Sequence, residues 1–410
     1  MSEIRKNKQY YKFCLYGFLK NLRFFDAFFI LFLIDKGMTF TQIGILYASR
    51  EIFINIFEIP SGIIADSFGR KNSLIASFFA YILSFYIFFI SSDFSFFFIA
   101  FIFYGLGDAF RSGTHKGMIM DYLELNNWSN QKIEYYGHTR SCSQKGSAIS
   151  SLIAGLIIFY SGSYESIFIY SIIPYIINIF LIFSYPKELN LSLKQKAKTK
   201  KQLLKNNSIS FFYILRKPNV FRIINTSAIH SAYLQAVKDY IQPLMINVAL
   251  LVPFFMEKDI EKKNGIIIGI IYFFIYLATS KASKISSFFV KSSKKNIPYT
   301  TLLLGFSFGI ITGALYFYNM WILSLIAFVI IYLVENIRKP ILTGYISDNV
   351  PNEILTSVIS AQSLLKTFMT AILALSFGVA ADIFGIGISF IIISAILIIL
   401  SYILNRFKLK

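Results

Sequence analysis

The residues of this chain that could do chemistry are charges placed where charges are expensive. Apolar runs of about 20 residues recur from end to end. Inside them stand Arg23 and Asp26, then Arg50, Glu51 and Glu58, then Asp108 and Arg111. Further along come His230, Lys238 and Asp239, then Glu335, Arg338 and Lys339, and finally Lys366. A charged side chain at the centre of a bilayer costs roughly 2.5–3.5 kcal/mol on insertion scales, so it persists where it faces a partner or a watery cavity. Asp108 and Arg111 lie three residues apart on one helix face and are placed to pair; so are Glu335 and Arg338. An acid in such a setting can exchange a proton while a neighbouring cation tunes it; the alternative is a fixed ion pair that holds helices together. Asp108, Asp26, Glu335 and Asp239 are the expected proton-exchanging acids, with Asp108 first. Arg111, Arg338, Arg23, Lys238, His230 and Gln235 are expected to face a polar cavity that receives a small-molecule substrate. His230 can relay protons near neutral pH or simply pack between helices.

These residues need elements that cross a membrane. The chain is 56% hydrophobic and 15% charged, where soluble domains carry about a quarter charged residues. The expected spans are 12–34, 40–64, 72–91, 95–120, 143–161, 166–185, 219–248, 265–289, 298–317, 320–345, 357–382 and 386–404. Backbone groups in lipid must be satisfied within the segment, so continuous apolar spans of this length are helices rather than barrel strands. The expected fold is an all-α integral membrane protein of twelve helices in two pseudo-symmetric six-helix bundles.

A net charge of +19 suggests nucleic acid in a soluble protein, but here the basic residues collect in alternate loops. The polar N-terminus, the loop with Arg70 and Lys71, the stretch from Lys116 to Lys145, and the C-terminal Arg406, Lys408 and Lys410 all fall on one side. The positive-inside rule then predicts both termini in the cytoplasm of a bacterial inner membrane, with no nucleic-acid partner. The most basic stretch, 187–218, divides residues 1–186 from 219–410 and reads as a cytoplasmic linker; its lysines could also meet anionic membrane lipids. Cys14 and Cys142 are not expected to form a disulfide, and no Cys/His spacing suggests a metal or other cofactor. The phenylalanines and tyrosines read as mostly lipid-facing bulk or interfacial belt.

The halves repeat each other. One constant offset relates Asp108 to Glu335, Arg111 to Arg338 and Asp121 to Asp348. A second relates Gly155 to Gly378 and Gly162 to Gly385. Paired six-helix repeats are expected where two halves rock around a central site.

The stretch after the second span reads Gly62-Ile63-Ile64-Ala65-Asp66-Ser67-Phe68-Gly69-Arg70-Lys71-Asn72-Ser73-Leu74. It resembles the G-x-x-x-D-x-x-G-R-K-x-x-L signature of the major facilitator superfamily, and with the twelve-span plan the resemblance covers essentially the whole chain. Ser67 departs from the basic residue often found there, and the second half carries no clean copy. The resemblance implies a conformational latch at Gly62, Asp66, Gly69, Arg70 and Lys71. Gly62 is expected to let a neighbouring helix approach, Gly69 to permit a tight turn, and the three charges to pair with charges or helix ends across the interface between halves; the alternative is a basic turn that simply anchors two helices. It also implies that the first, fourth, seventh and tenth helices line the cavity. The stretches Glu58–Gly62 and Ser112–Asp121 are similar to a branch of small bacterial exporters, which tilts the expected direction towards efflux.

The expected function is therefore a proton-coupled secondary transporter, monomeric, moving a small polar, ionic or amphipathic solute by alternating access. An uncoupled facilitator or lipid flippase, and a non-transporting sensor with the same shell, are the alternatives. No G-x-x-x-x-G-K-[ST] loop is present, so ATP is not expected to drive it. No Ser/His/Asp set or zinc motif suggests an enzyme.

Overall fold

The computed structural model describes residues 6–128, 131–190, 218–252, 260–292, 297–349 and 352–406. All regular structure among them is helical. The first crossing is split into α1 (Lys8–Lys20) and α2 (Phe29–Asp35), joined by a 3-10 turn at Phe24–Ala27. It is followed by α3 (Phe40–Phe68), α4 (Arg70–Ile90), α5 (Phe94–Arg111), α6 (Thr114–Leu125), α7 (Lys132–Ser161) and α8 (Ser166–Phe183). The second half holds α9 (Pro218–Val237), α10 (Ile241–Leu250), α11 (Ile260–Ser292), α12 (Ile297–Phe317), α13 (Trp321–Asn349) and α14 (Asn352–Arg406).

Among the described residues, eight helical stretches are long and apolar enough to cross a membrane, one of them spanning Ala361–Leu404. That stretch holds two crossings joined at Gly385, whose φ of 81° and ψ of 162° interrupt the helix. The crossings missing from that set are the first and seventh, which are broken, and the second, which carries Arg50, Glu51 and Glu58. The twelve-span expectation thus stands, with altered boundaries. Helix α3 runs on to Phe68, so most of the signature stretch is helix and not loop. Helix α7 begins at Lys132, well before the expected residue 143.

Three crossings are discontinuous, each for a visible reason. Below α1, the Asn21 amide donates to Gly17 O at 3.1 Å and Ser143 O at 2.9 Å, diverting the chain from the helical path. Between α5 and α6, Gly113 adopts φ +71°, a left-handed conformation that glycine adopts without a Cβ penalty. Between α9 and α10 lies a 3-10 turn at Lys238–Tyr240. There the Tyr332 hydroxyl of α13 donates to Lys238 O at 3.0 Å, capturing a carbonyl that the break releases. Broken helices survive in lipid when neighbours re-satisfy the backbone in this way.

The described chain forms two compact units. The first comprises Met1–Lys36, Ser49–Gln195 and Pro253–Tyr276; the second comprises Gly37–Ala48, Lys196–Val252 and Leu277–Lys410. Residues 191–217, most of the basic linker, lie outside the described residues. Within the first unit α7 meets α11 along bare backbone: a Cβ on Gly155 would sit 2.6 Å from Gly265 O, and one on Gly269 would sit 2.6 Å from Ser151 O. Within the second, the start of α3 meets α14 the same way, where a Cβ on Gly44 would sit 2.7 Å from Ala374 O. Apolar lipid gives helices little hydrophobic reason to associate, so close packing through small residues takes that role. The start of α3 is further held by a Thr39/Gln42 capping box, and by Asp382, which accepts from Phe40 N at 2.9 Å and Thr41 N at 2.7 Å.

The phenylalanines divide between two settings. Phe79 and Phe180 are exposed, but Phe25, Phe29, Phe32, Phe88, Phe101 and Phe168 are buried together in the first unit. Their rings interlock, Phe29 stacked on Phe101 at 5.3 Å between centroids and Phe32 edge-on to Phe168 at 4.6 Å. Such pairs contribute about 0.5–1.5 kcal/mol beyond area burial. Each unit holds one tryptophan beside a tyrosine: Trp128 with Tyr122 at 6.1 Å, and Trp321 with Tyr316 at 4.9 Å.

Candidate functional site

Two charged clusters stand at repeat-related positions, one in each unit. In the first unit, Arg111 Nη2 donates to Asp108 Oδ1 at 2.8 Å, as the three-residue spacing predicts. Tyr81 of α4 completes the group: its hydroxyl donates to the same carboxylate oxygen and accepts from Arg111 Nε at 3.0 Å. Gly107 makes room for the Tyr81 ring, since a Cβ there would lie 2.9 Å from Tyr81 Cδ1. Arg23 donates to the Tyr104 hydroxyl at 2.7 Å. The guanidinium of Arg50 lies 5.7 Å from the Tyr104 ring centre and also pairs with Glu51 at 2.7 Å. Asp26 sits in the 3-10 turn after Arg23 and lines a narrow cleft with Ser147, Ser150 and Ser151.

In the second unit the partners change. His230 Nδ1 meets Glu335 Oε2 at 2.7 Å, and the Ser231 hydroxyl donates to Glu335 Oε1. Arg338 does not pair with Glu335, although their spacing predicts it. Instead its guanidinium donates to Pro298 O, to Thr301 Oγ1 at 2.6 Å and to Thr226 O at 2.9 Å. Glu335 is 1% exposed and Arg338 0%, so neither faces the watery cavity expected of them. Three fixed acceptors suit a planar guanidinium better than one carboxylate already held by His230 and Ser231. The His230 ring lies against Gly305 of α12, where any Cβ would overlap it, and its Nε2 has no hydrogen-bond partner among the described residues. The second-unit turn holds Asp239, which accepts from Tyr47 Oη at 3.0 Å and lies 3.9 Å from Lys238 Nζ. Gln235, half-buried, lies on α9.

The signature stretch is built from inside its own unit. Gly69 has φ +95°, the turn that glycine was expected to provide, and its Cα faces the Asn190 side chain. Asn190 accepts from Arg70 N through its carbonyl and from Lys71 N through Oδ1, both at 3.0 Å, and so caps α4 from a distant part of the chain. Arg70 pairs with Asp121 of α6 at 2.6 Å. Lys71 Nζ donates to Phe183 O at 3.1 Å and Tyr185 O at 2.8 Å, at the end of α8. Among the described residues nothing lies within 4 Å of a Cβ on Gly62. The side chains of Asp66 and Asp348 lie outside the described residues.

Asn190 and Ser231 escaped the sequence reading, as did the aromatic partners Tyr81 and Tyr104. The small-residue spacings Gly265-x-x-x-Gly269 and Gly305-x-x-x-Gly309-x-x-x-Gly313 were the available signal for the close helix contacts.

A polytopic helical protein with interrupted crossings and buried charges at repeat-related positions is of the solute-transporter class. The comparisons make this specific: the Major Facilitator Superfamily profile matches residues 18–374, and the chain belongs to that family. A curated relative is the uncharacterized MFS-type transporter YxaM of Bacillus subtilis (strain 168), 25% identical over 375 residues, covering 92% of this chain and 89% of that one. Among solved structures, the nucleoside transporter NupG aligns with a TM-score of 0.75, 14% identity, and coverage of 98% of this chain and 100% of that one. The peptide transporter POT aligns with a TM-score of 0.71, 13% identity, and coverage of 97% and 94%. At these identities the structural likeness speaks to the fold alone.

Proposed function

We propose that this transporter couples solute movement to protons, and that Glu335 with His230 is the proton site. The observation that carries the reading is the difference between the two clusters. Asp108 is held by a guanidinium that keeps its charge at any working pH, so protonating Asp108 would strand Arg111 without its counter-ion. Glu335 is held by an imidazole and a hydroxyl. Imidazole can gain or lose a proton, so the pair is neutral when it holds one proton, and releasing that proton leaves a carboxylate that the neutral imidazole and the Ser231 hydroxyl still hydrogen-bond. Asp108 then serves with Arg111 and Tyr81 as a structural or substrate-facing group, a reordering of the sequence expectation that put it first. The solute is small and polar, ionic or amphipathic, both termini lie in the cytoplasm, and export is the direction suggested by the Glu58–Gly62 and Ser112–Asp121 resemblance.

The test is proton flux in proteoliposomes loaded with an internal pH dye, run against a panel of labelled solutes. Wild type is expected to move protons with its solute. Glu335→Gln is expected to keep solute exchange and lose proton movement, while Asp108→Asn keeps proton movement with the solute that still binds. Solute flux in wild type without proton movement would instead establish an uncoupled facilitator.

A further inference from the structure

We propose that the first unit holds an anion site, and that the solute of the transport reading, on which this inference rests, carries a carboxylate or phosphate-type group. An open cavity of about 410 Å³ lies within this unit, bordered by α1, the α5–α6 break and α7. That volume is in the range of small-molecule pockets. Four cations line it: Lys20, Arg111, Lys116 and Arg140. No aspartate or glutamate is among its described lining residues. Arg111 is compensated by Asp108 next to it, but Lys20, Lys116 and Arg140 have no carboxylate within ion-pair distance among the described residues. Lys116 lies instead over the Tyr136 ring at 5.1 Å.

The break in the fourth crossing adds to the same field. Gly113 and His115 line the cavity, so α6 begins at its wall, and the Gly113 cap provides no side-chain hydrogen bond. The leading N–H groups of a helix carry partial positive charge and favour anions. His115 is fixed there by stacking on Tyr16, with 3.6 Å between ring centroids and 9° between planes. Around the cations, Asn21, Thr139, Ser143 and Gln144 offer amides and hydroxyls for neutral polar parts of a solute. An ammonium-bearing solute would meet only like charge in this cavity. An anion meets a flexible ammonium at Lys20, a planar guanidinium at Arg140 and a helix N-terminus. Charge-assisted hydrogen bonds from such donors are the strong ones.

The experiment is calorimetric titration of the full chain in phosphatidylcholine nanodiscs. The probes are phenyl phosphate and benzoate, with benzyl alcohol as the neutral shape match and benzyltrimethylammonium as the cation. The anions are expected to bind and the other two not. Lys20→Gln and Arg140→Gln are each expected to weaken anion binding about tenfold, while Lys20→Arg stays near wild type, and melting of the ligand-free variants reports that they fold. Doping the nanodiscs with phosphatidylglycerol separates the two sources of the same chemistry. Competition with phenyl phosphate assigns the site to a lipid headgroup; no competition assigns it to a soluble anion. The inference is overturned if no anion binds, if the neutral and cationic probes bind equally well, or if both glutamine variants leave anion binding unchanged. Anion binding with no flux in proteoliposomes would remove the transport reading and leave the site. Flux of a cationic solute untouched by the Lys20 and Arg140 variants would do the reverse.

Discussion

Replacing Gly305 with alanine sets a methyl group into the space of the His230 imidazole. The ideal Cβ would approach the ring through Nε2 and Cδ2 and would stand 3.1 Å from Cε1. The ring cannot simply turn aside, because His230 is fully buried and its Nδ1 is committed to Glu335 at 2.7 Å. Overpacking a close-packed site costs about 1–3 kcal/mol. Displacing the imidazole also weakens a hydrogen bond to a buried carboxylate, about 1.5–3 kcal/mol. Alanine recovers about 1 kcal/mol of helix propensity over glycine. The net expectation is a loss of about 2–4 kcal/mol, or roughly 5–15 °C in melting temperature at about 2–4 °C per kcal/mol for a unit of this size. The assay is thermal unfolding of the purified protein in detergent, alongside proton flux. Gly313→Ala on the same helix is the matched control: its Cβ would meet Ile391 Cγ1 at 2.8 Å, away from the imidazole. Both variants are expected to lower the melting temperature, but only Gly305→Ala disturbs proton movement. A Gly305→Ala protein that melts with wild type and moves protons normally would refute the seating of His230 described above.

Other perturbations follow from the same packing. Gly69→Ala forces a Cβ onto φ +95° and against Asn190, and is expected to cost about 3 kcal/mol by melting through strain and the loss of the α4 cap. Gly62→Ala, with nothing among the described residues within 4 Å of the new methyl, is expected to raise stability by about 0.5–1 kcal/mol; a fall in melting temperature would mean the position is crowded after all. A double-mutant cycle on Arg70→Ala and Asp121→Ala is expected to return a coupling of about 1–2 kcal/mol, read from denaturant or thermal unfolding, because both side chains are largely buried. Burial pushes the Glu165 carboxyl up, but hydrogen bonds from Lys36 and Ser163 more than offset it and hold it below the usual carboxylate range. That depressed carboxyl adds stability that is present above its unfolded-state range near pH 4.3 and lost as pH falls through the folded value. Glu165→Gln is therefore expected to cost at most about 0.5 kcal/mol at neutral pH, with the gap to wild type closing in acid.

The crossings and the family were legible because they are written one residue at a time, in hydropathy and in the Gly62–Leu74 signature. The breaks in the first, fourth and seventh crossings were not. Phe24–Ala27 is as apolar as the helices around it, apart from Asp26, and hydropathy cannot tell a 3-10 turn from helix. Asp108 with Arg111 was readable because its geometry is local. Arg338 was misplaced because its partners are backbone carbonyls and one threonine, and every residue type offers a carbonyl. His230 with Glu335, and Gly69 with Asn190, join positions more than a hundred residues apart, which spacing rules do not reach. The buried phenylalanine cluster was not legible because a ring is equally apolar against lipid and against another ring.

The two tryptophans give the protein an optical property of its own. Trp128 belongs to the first unit and Trp321 to the second, each within energy-transfer range of a tyrosine. Trp128→Phe and Trp321→Phe would each leave a single tryptophan, one per unit, which light at its red absorption edge excites apart from the tyrosines with no label attached. Emission colour and quenching by brominated lipids or aqueous iodide would then report on each unit separately. A solute that perturbs one emitter and leaves the other silent would be located by light alone.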